Sequence, residues 1–295
     1  MKLKSILSLL KEAFGGWQED RVSLLAAALA YYTVLSIAPL IVIAIALAGT
    51  VFGADAAQGE IVNTLEGLIG EQGAQVIESI VRNAAQPELN SAASIFGAIA
   101  LLISASGLFS HLQAALNIVW NVEAKKNRNL WAVLCKRLLS FGMVLAIALL
   151  LLASLLASAA ISTLSQLDAD FLPNISSLWQ WVDGFASLCI VVLLFALIYK
   201  YLPDVELSWK DVWTDAIITA ALFILGKYLL GFYISRSSIG SAYGAAGSLV
   251  VFLVWIFYST QILLFGAELT QAYVCRYNRQ VQPTRHATIA DSSLS

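Results

Sequence analysis

The sequence predicts an all-α polytopic membrane protein: six transmembrane helices, with an extracytoplasmic helical hairpin after the first. Three observations lead there. Six long apolar stretches run through the 295 residues; hydrophobic residues make up 59% of the chain and charged ones 12%; and the basic residues fall almost wholly on one side of the stretches. An α-helix needs about 20 residues to cross a hydrocarbon core about 30 Å thick, and ordinary soluble domains carry about 25% charged residues. The stretches are Val22–Ala48, Ala92–Val119, Leu138–Leu164, Leu178–Tyr199, Val212–Ile234 and Ala245–Tyr273. Each is long enough to span.

Residues 1–21 precede them. Leu3, Ile6, Leu7, Leu10 and Phe14 recur at helical spacing with lysines between, the pattern of an interfacial amphipathic helix; a disordered leader is the alternative. The first span contains Pro39, which removes a backbone bond and predicts a kink near Ser36. That span is too long for the apolar core of a cleavable signal and is expected to stay as an anchor. Segment 50–91 is too patterned for a bare loop. Ile61, Leu65, Leu68 and Ile69 form one apolar stripe and Val76, Ile77, Ile80 and Val81 another, split by Gly70 and Gly73, which predicts the outer hairpin. The loops at 168–174 and 201–209 are short, and Gly240, Gly244 and Ser248 make a small-residue repeat opening the sixth span. The transmembrane domain is thus 22–275, and the polar, Ser/Thr-rich 276–295 is expected to be a disordered tail.

Charge orients the spans. Lys2, Lys4, Lys11 and Arg21 precede the first; Lys125, Lys126, Arg128, Lys136 and Arg137 lie between the second and third. Lys200 and Lys210 flank the fourth loop, and Arg276, Arg279 and Arg285 follow the last, leaving three of the 17 basic residues elsewhere. Positive residues are retained in the cytoplasm, so both termini should be cytoplasmic. The outer segment is acidic, with Asp55, Glu60, Glu66, Glu71, Glu78 and Glu88 against Arg82. Seven of the eight tryptophans lie near span ends, where an indole can keep its N–H wet; Trp255 lies inside a span. Cys135, Cys189 and Cys275 are an odd set with no disulfide pattern.

Polar side chains within spans are costly and mark candidate sites. Ser110, Gln113 and Asn117 fall on one face of the second span, with His111 beside it. The first span offers Tyr32 and Ser36, the sixth Gln261 and Glu268, and the fifth Asp215 and Thr219. These groups either bond helix to helix or line a wet cavity; Tyr32, Ser36, Ser110, Gln113, Asn117, Gln261 and Glu268 are the expected lining, with Pro39 supplying room. Asp183 and Lys227 fall at similar depth on the fourth and fifth spans, either as an intramembrane ion pair or as separate groups reaching the interface.

Several pieces together carry a resemblance: Leu29-Ala30-Tyr31-Tyr32-Thr33 with Ser36 and Pro39, Ser110 to Asn117 before Trp120, and Tyr201-Leu202-Pro203-Asp204. Tyr243-Gly244 with Gly247, and Leu264-Phe265-Gly266-Ala267-Glu268-Leu269, complete the set. From about residue 20 to 275 the chain resembles the YihY/BrkB family of bacterial inner-membrane proteins, some once labelled ribonuclease BN. The resemblance implies a six-helix bundle in the cytoplasmic membrane with a helical outer segment, and suggests transport or lipid translocation. It supplies no catalytic residues to carry over.

A metal-dependent ribonuclease needs clustered ligands and a basic groove. The only histidines are His111 and His286, no basic cluster is interleaved with aromatics, and no GxxxxGK[ST] loop occurs. The chain is therefore expected to be neither a nuclease nor another enzyme, and to use no metal and no cofactor. Glu268 with His111 is the one faint pairing for chemistry on lipid. The leading expectation is a transporter or translocator of an amphipathic or lipid-like substrate, and the rival is a non-catalytic envelope scaffold docked through the acidic outer hairpin. Expected partners are membrane lipids, an unidentified small-molecule or lipid substrate, and an envelope protein or a second copy of the chain, with no nucleic acid.

Overall fold

A computed structural model of the chain describes residues 3–53, 58–59, 78, 107–125, 142, 176–236, 247–276, 282–284 and 287–289. Within them run helices α1 (Leu3–Glu19), α2 (Val22–Phe52), α3 (residues 107–119), α4 (Ser176–Tyr201), α5 (Trp209–Arg236) and α6 (Gly247–Arg276), with strands β1 (Val122–Ala124) and β2 (Ala287–Ile289). Nearly all of the third expected span, most of the outer hairpin, the start of the second span, Gly240 and Gly244 lie outside the described residues.

The long helices follow from local sequence. α4, α5 and α6 begin and end within about three residues of the apolar runs, the ±2–4 residue scatter usual at helix ends. α5 starts a turn early because Ser208 caps it. The Ser208 hydroxyl donates to Asp211 Oδ2 at 2.6 Å and accepts from Asp211 N–H at 3.4 Å, and Asp211 sits in the positive first turn. Lys200, Arg236 and Arg276 lie in the last turns of α4, α5 and α6, where cations complement the helix dipole. α2 continues past Pro39 to Phe52.

Among the described residues, Trp209–Tyr233 and Leu249–Arg276 are long and apolar enough to cross a membrane. At 1.5 Å per residue α5 is about 42 Å long, more than the roughly 30 Å thickness of a hydrocarbon core. Its two faces differ. Val212, Asp215, Ala216, Thr219 and Ala220 are buried, while Ile217, Ile218, Leu225, Tyr228, Leu229, Phe232 and Tyr233 are exposed. Small residues inside and large apolar ones outside is the arrangement of a helix that packs closely on its neighbours and meets lipid elsewhere.

α6 is the hub, packed against α1, α2 and α5, with α4 against α5. Asp20 and Arg21 turn α1 into α2, Arg21 adopting the left-handed conformation at φ 50° and ψ 45°. The seam of α1 on the bundle is separate from its apolar stripe. Leu9 and Ala13 pack on Leu269, with Phe265, Ala272 and Tyr273 around them, whereas Leu7, Leu10 and Phe14 remain exposed. α1 therefore has three faces: one on the bundle, one apolar and outward, and one polar.

One expectation is corrected at the basic end of the bundle, where Lys200 and Arg276 lie. The described residues are mostly helical, as expected, but residues 287–289 of the tail form a strand rather than a disordered end. β1 pairs antiparallel with β2 from the tail, in the register Val122↔Ile289, Glu123↔Thr288 and Ala124↔Ala287. Val205 bridges Pro283, Glu206 N–H donates to Gln282 O at 2.9 Å, and Thr284 N–H donates to Asp204 O at 3.0 Å. Backbone pairing with distant segments orders residues 282–284 and 287–289 of this polar tail, which composition alone cannot reveal. Nearby, Trp120 is 2% exposed and its Nε1 meets no acceptor among the described residues, so this indole is core rather than a wet interfacial anchor. It packs in one cluster with Leu116, Leu202, Val205, Leu207 and Val212, which ties α3, α5 and the loop between α4 and α5 together.

Candidate functional site

Three buried polar clusters surround the hub helix and the loop at the basic end. The first is centred on Asp204, two residues beyond Leu202 in that loop. Gln113 and Asn117 lie one turn apart on α3. Gln113 Nε2 donates to Asp204 Oδ1 at 3.1 Å, Asn117 Nδ2 donates to Oδ2 at 2.8 Å, and Asn117 Oδ1 accepts Asp204 N–H at 2.8 Å. Each carboxylate oxygen thus has an amide donor, and the backbone of Asp204 is held as well. Lys200 steadies the same loop, donating to Leu207 O at 2.6 Å with its ammonium 5.5 Å from the Trp209 ring centre. This arrangement can lock a loop to a helix. It presents no nucleophile.

The second cluster lies where α1 meets α6. Glu268 is 1% exposed, and its carboxyl lies so close to Gly16 that a Cβ there would collide with it. Glu268 is hydrogen-bonded to Asp20, carboxyl to carboxyl, while its Oε1 meets no partner among the described residues. Two carboxyls can bond only with a proton between them, and they titrate as a pair. At the α1–α2 turn, burial pushes the Asp20 carboxyl above its ordinary value; the hydrogen bond from Glu268 opposes this, and the charge of Glu19 adds to it.

The third cluster joins α4, α5 and α6. Tyr199 OH donates to Leu263 O at 2.7 Å and lies 3.1 Å from Thr219 Oγ1, which lies 3.4 Å from Asp215 Oδ1. Thr270 of α6 lies beside the same carboxyl and donates its own hydroxyl hydrogen to Gly266 O at 3.3 Å. Gly266 permits the approach, since a Cβ there would meet Thr219 Oγ1 and Tyr199 OH.

The expected cavity residues take several partners. Gln113 and Asn117 close on Asp204. Glu268 faces Asp20 and Gly16. Tyr32 stacks on His111 with ring centres 3.6 Å apart and planes 11° from parallel. His111 and Glu268 are in separate clusters, so the pairing considered for lipid chemistry is not assembled. Ser36 is buried on α2, Gln261 is half-buried on α6 and Ser110 is exposed on α3. Lys227 is half-buried on α5; the side chains of Asp183, Pro39 and Ser248 lie outside the described residues, and so does the Asp183–Lys227 pair. Sequence reasoning passed over Asp20, Tyr199 and Thr270 and read Asp204 as part of a short loop and of a piece carrying the family resemblance, without a partner. Each sits at or near a span end, where polar residues are ordinary. The one available signal was that Asp204 follows an apolar Leu-Pro pair in a loop too short to hide a carboxylate without help. Among the described residues no three His, Cys, Asp or Glu side chains gather as a metal site would require.

A sequence profile described as virulence factor BrkB matches residues 13–289. A UPF0761 membrane protein of Rhodospirillum centenum is 30% identical over 249 residues, 83% of this chain and 53% of that protein. One from Psychrobacter sp. is 26% identical over 284 residues, 95% of this chain and 51% of its own length. The Bacillus subtilis protein YfkH, whose name is ribonuclease-like, is 25% identical over 89% of this chain and 94% of its own. The chain spans about half the length of the first two relatives. No solved structure matches it. With a profile match over nearly the whole chain, and outward-facing apolar helices to go with it, this protein belongs to the BrkB/UPF0761 family of membrane proteins.

Proposed function

We propose that the protein is a multi-pass translocator of the bacterial cytoplasmic membrane, with both termini in the cytoplasm, that moves an amphipathic or lipid-like substrate and catalyses no reaction. The observation that carries this reading is Glu268: a carboxyl 1% exposed on the hub helix, with one oxygen unpartnered among the described residues and a second carboxyl against it. Membrane proteins retain such groups where protons or ions move, because burying them for packing alone is unfavourable. α1 supports the orientation, since its outward Leu7, Leu10 and Phe14 suit an interface and Lys11 lies on its polar side. Any drive would come from a gradient or a partner.

The scaffold reading rests on the acidic segment 50–91 and predicts no flux. Full-length protein in liposomes with a fluorescent phospholipid separates the two. Protein-dependent transfer that Glu268→Gln abolishes, with thermal stability retained, supports translocation. Transfer no faster than in protein-free vesicles overturns it. Cysteines replacing Glu71 and Asp170 should be labelled by an impermeant reagent from outside whole cells and one replacing Asn127 should not; labelling at Asn127 would reverse the orientation.

A further inference from the structure

The cluster at Asp215 has a feature that neither packing nor the Glu268 pair explains. Asp215 is 2% exposed, Tyr199 1%, Thr219 0% and Thr270 6%. The nearby charged groups turn elsewhere. From α4, Lys200 is bound to Leu207 O. On α5, Lys210 is exposed and Asp211 is engaged by Ser208. On α6, Glu268 faces Asp20. Among the described residues Asp215 meets only hydroxyl groups.

Counting hydrogens assigns directions. A backbone carbonyl cannot donate, so the one hydroxyl hydrogen of Tyr199 is committed to Leu263 O at 2.7 Å. The 3.1 Å contact between Tyr199 and Thr219 must then use the hydrogen of Thr219. Thr219 has no second hydrogen, so it donates to Asp215 Oδ1 at 3.4 Å only by giving up Tyr199, and both contacts are bonds at once only when the carboxyl supplies a proton. With that proton present, the chain runs one way: Asp215 to Thr219 to Tyr199 to Leu263 O, while Thr270 keeps its hydrogen on Gly266 O at 3.3 Å. Without it, Thr219 must turn its hydrogen onto the carboxylate, and Tyr199 and Thr219 face each other with none between them. The two arrangements differ by one proton and by whether α5 is bonded to α4 at this point.

We propose that Asp215 is a proton-binding site whose occupancy reverses the Thr219 hydroxyl and so makes or breaks the link from α5 through Tyr199 to α6. That the proton is the coupling ion rests on the translocator reading; that the site binds one does not. On release the proton leaves Asp215, Thr219 rotates toward the carboxylate, and Tyr199 keeps its bond to Leu263 O.

Infrared titration of the full-length protein in lipid nanodiscs tests this without a substrate. Asp215→Asn should remove a carboxylic-acid carbonyl band. Tyr199→Phe, which keeps the ring beside Phe195 but removes the acceptor that the protonated chain needs, should weaken proton binding about five- to tenfold, the factor one hydrogen bond is worth. A band untouched by Asp215→Asn overturns the proposal. Should that variant not fold, a titration unmoved by Tyr199→Phe overturns it instead. Phospholipid transfer in liposomes separates the two readings: transfer equal in wild type and Asp215→Asn at every pH removes the coupling and leaves the translocator, whereas the acid band without any transfer leaves the site and removes the translocator.

Discussion

Asp204 and Glu268 are both carboxyl groups buried where the helices of this bundle converge, yet their surroundings are opposite. Asp204 receives an amide donor on each oxygen and gives its own N–H to Asn117. Glu268 has a glycine backbone, a second carboxyl and an oxygen that meets no partner among the described residues. Burial alone does not distinguish a structural acid from a functional one; the donors do. A matched carboxylate is fixed in one position, and removing it strands its partners. A mismatched one can change its protonation with little loss of packing.

The largest effect that can break this comparison is at Asp204. Asp204→Ala leaves two amides buried without acceptors and frees the loop, so a loss of about 3–5 kcal/mol in stability is expected, read as a large fall in thermal midpoint in detergent. Glu268→Gln should cost about 1 kcal/mol or less, since an amide can still donate to Asp20. Equal losses at the two positions would end the distinction.

Next in size is Gly266→Ala. Its methyl would strike Thr219 and Tyr199, and overpacking of that kind costs about 1–3 kcal/mol. Thr219→Ala on the same background should recover part of the loss, and additive losses in that cycle would show that the two do not touch. Smaller again is the Tyr32–His111 stack. His111→Ala should cost about 0.5–1.5 kcal/mol, measured as above, and leave Asp204 and Glu268 undisturbed.

The subtlest effect is in pH. The Asp20 carboxyl is raised in the folded protein, so the folded state binds its proton more tightly than the unfolded chain does. Stability from this group is then fully present below the ordinary carboxylate value, about pH 4, and declines as pH climbs from there through the raised value. Thermal midpoints over that window should fall more steeply in wild type than in Asp20→Asn. Parallel curves would show that the pair is not titrating.

Helices were legible because they are local. An apolar run of more than 20 residues is a span wherever it lies, which is why the ends of α4, α5 and α6 fall within a turn of the readings from sequence. The same spacing argument put Gln113 and Asn117 on one face of a helix and marked Glu268, Asp215 and Thr219 as polar groups needing an explanation. It could not say what that face meets. Asn117 and Asp204 are 87 residues apart, and Glu123 and Thr288 are 165 apart. No periodicity connects such pairs, and a polar tail looks the same in sequence whether it is free or paired as a strand.

By itself, then, the sequence determined that this is a helical membrane protein, where most described helices lie, and which buried polar groups stand out, because hydrophobic length and helical period act within one segment. Only the tertiary structure decided which of those groups are satisfied. Donors for Asp204 come from another helix, the neighbour of Glu268 comes from the turn before the first span, and the hydrogen chain from Asp215 crosses three helices. Whether a carboxyl is a fixed strut or a proton site depends on the hydrogens around it, and those are brought by segments far away in the chain.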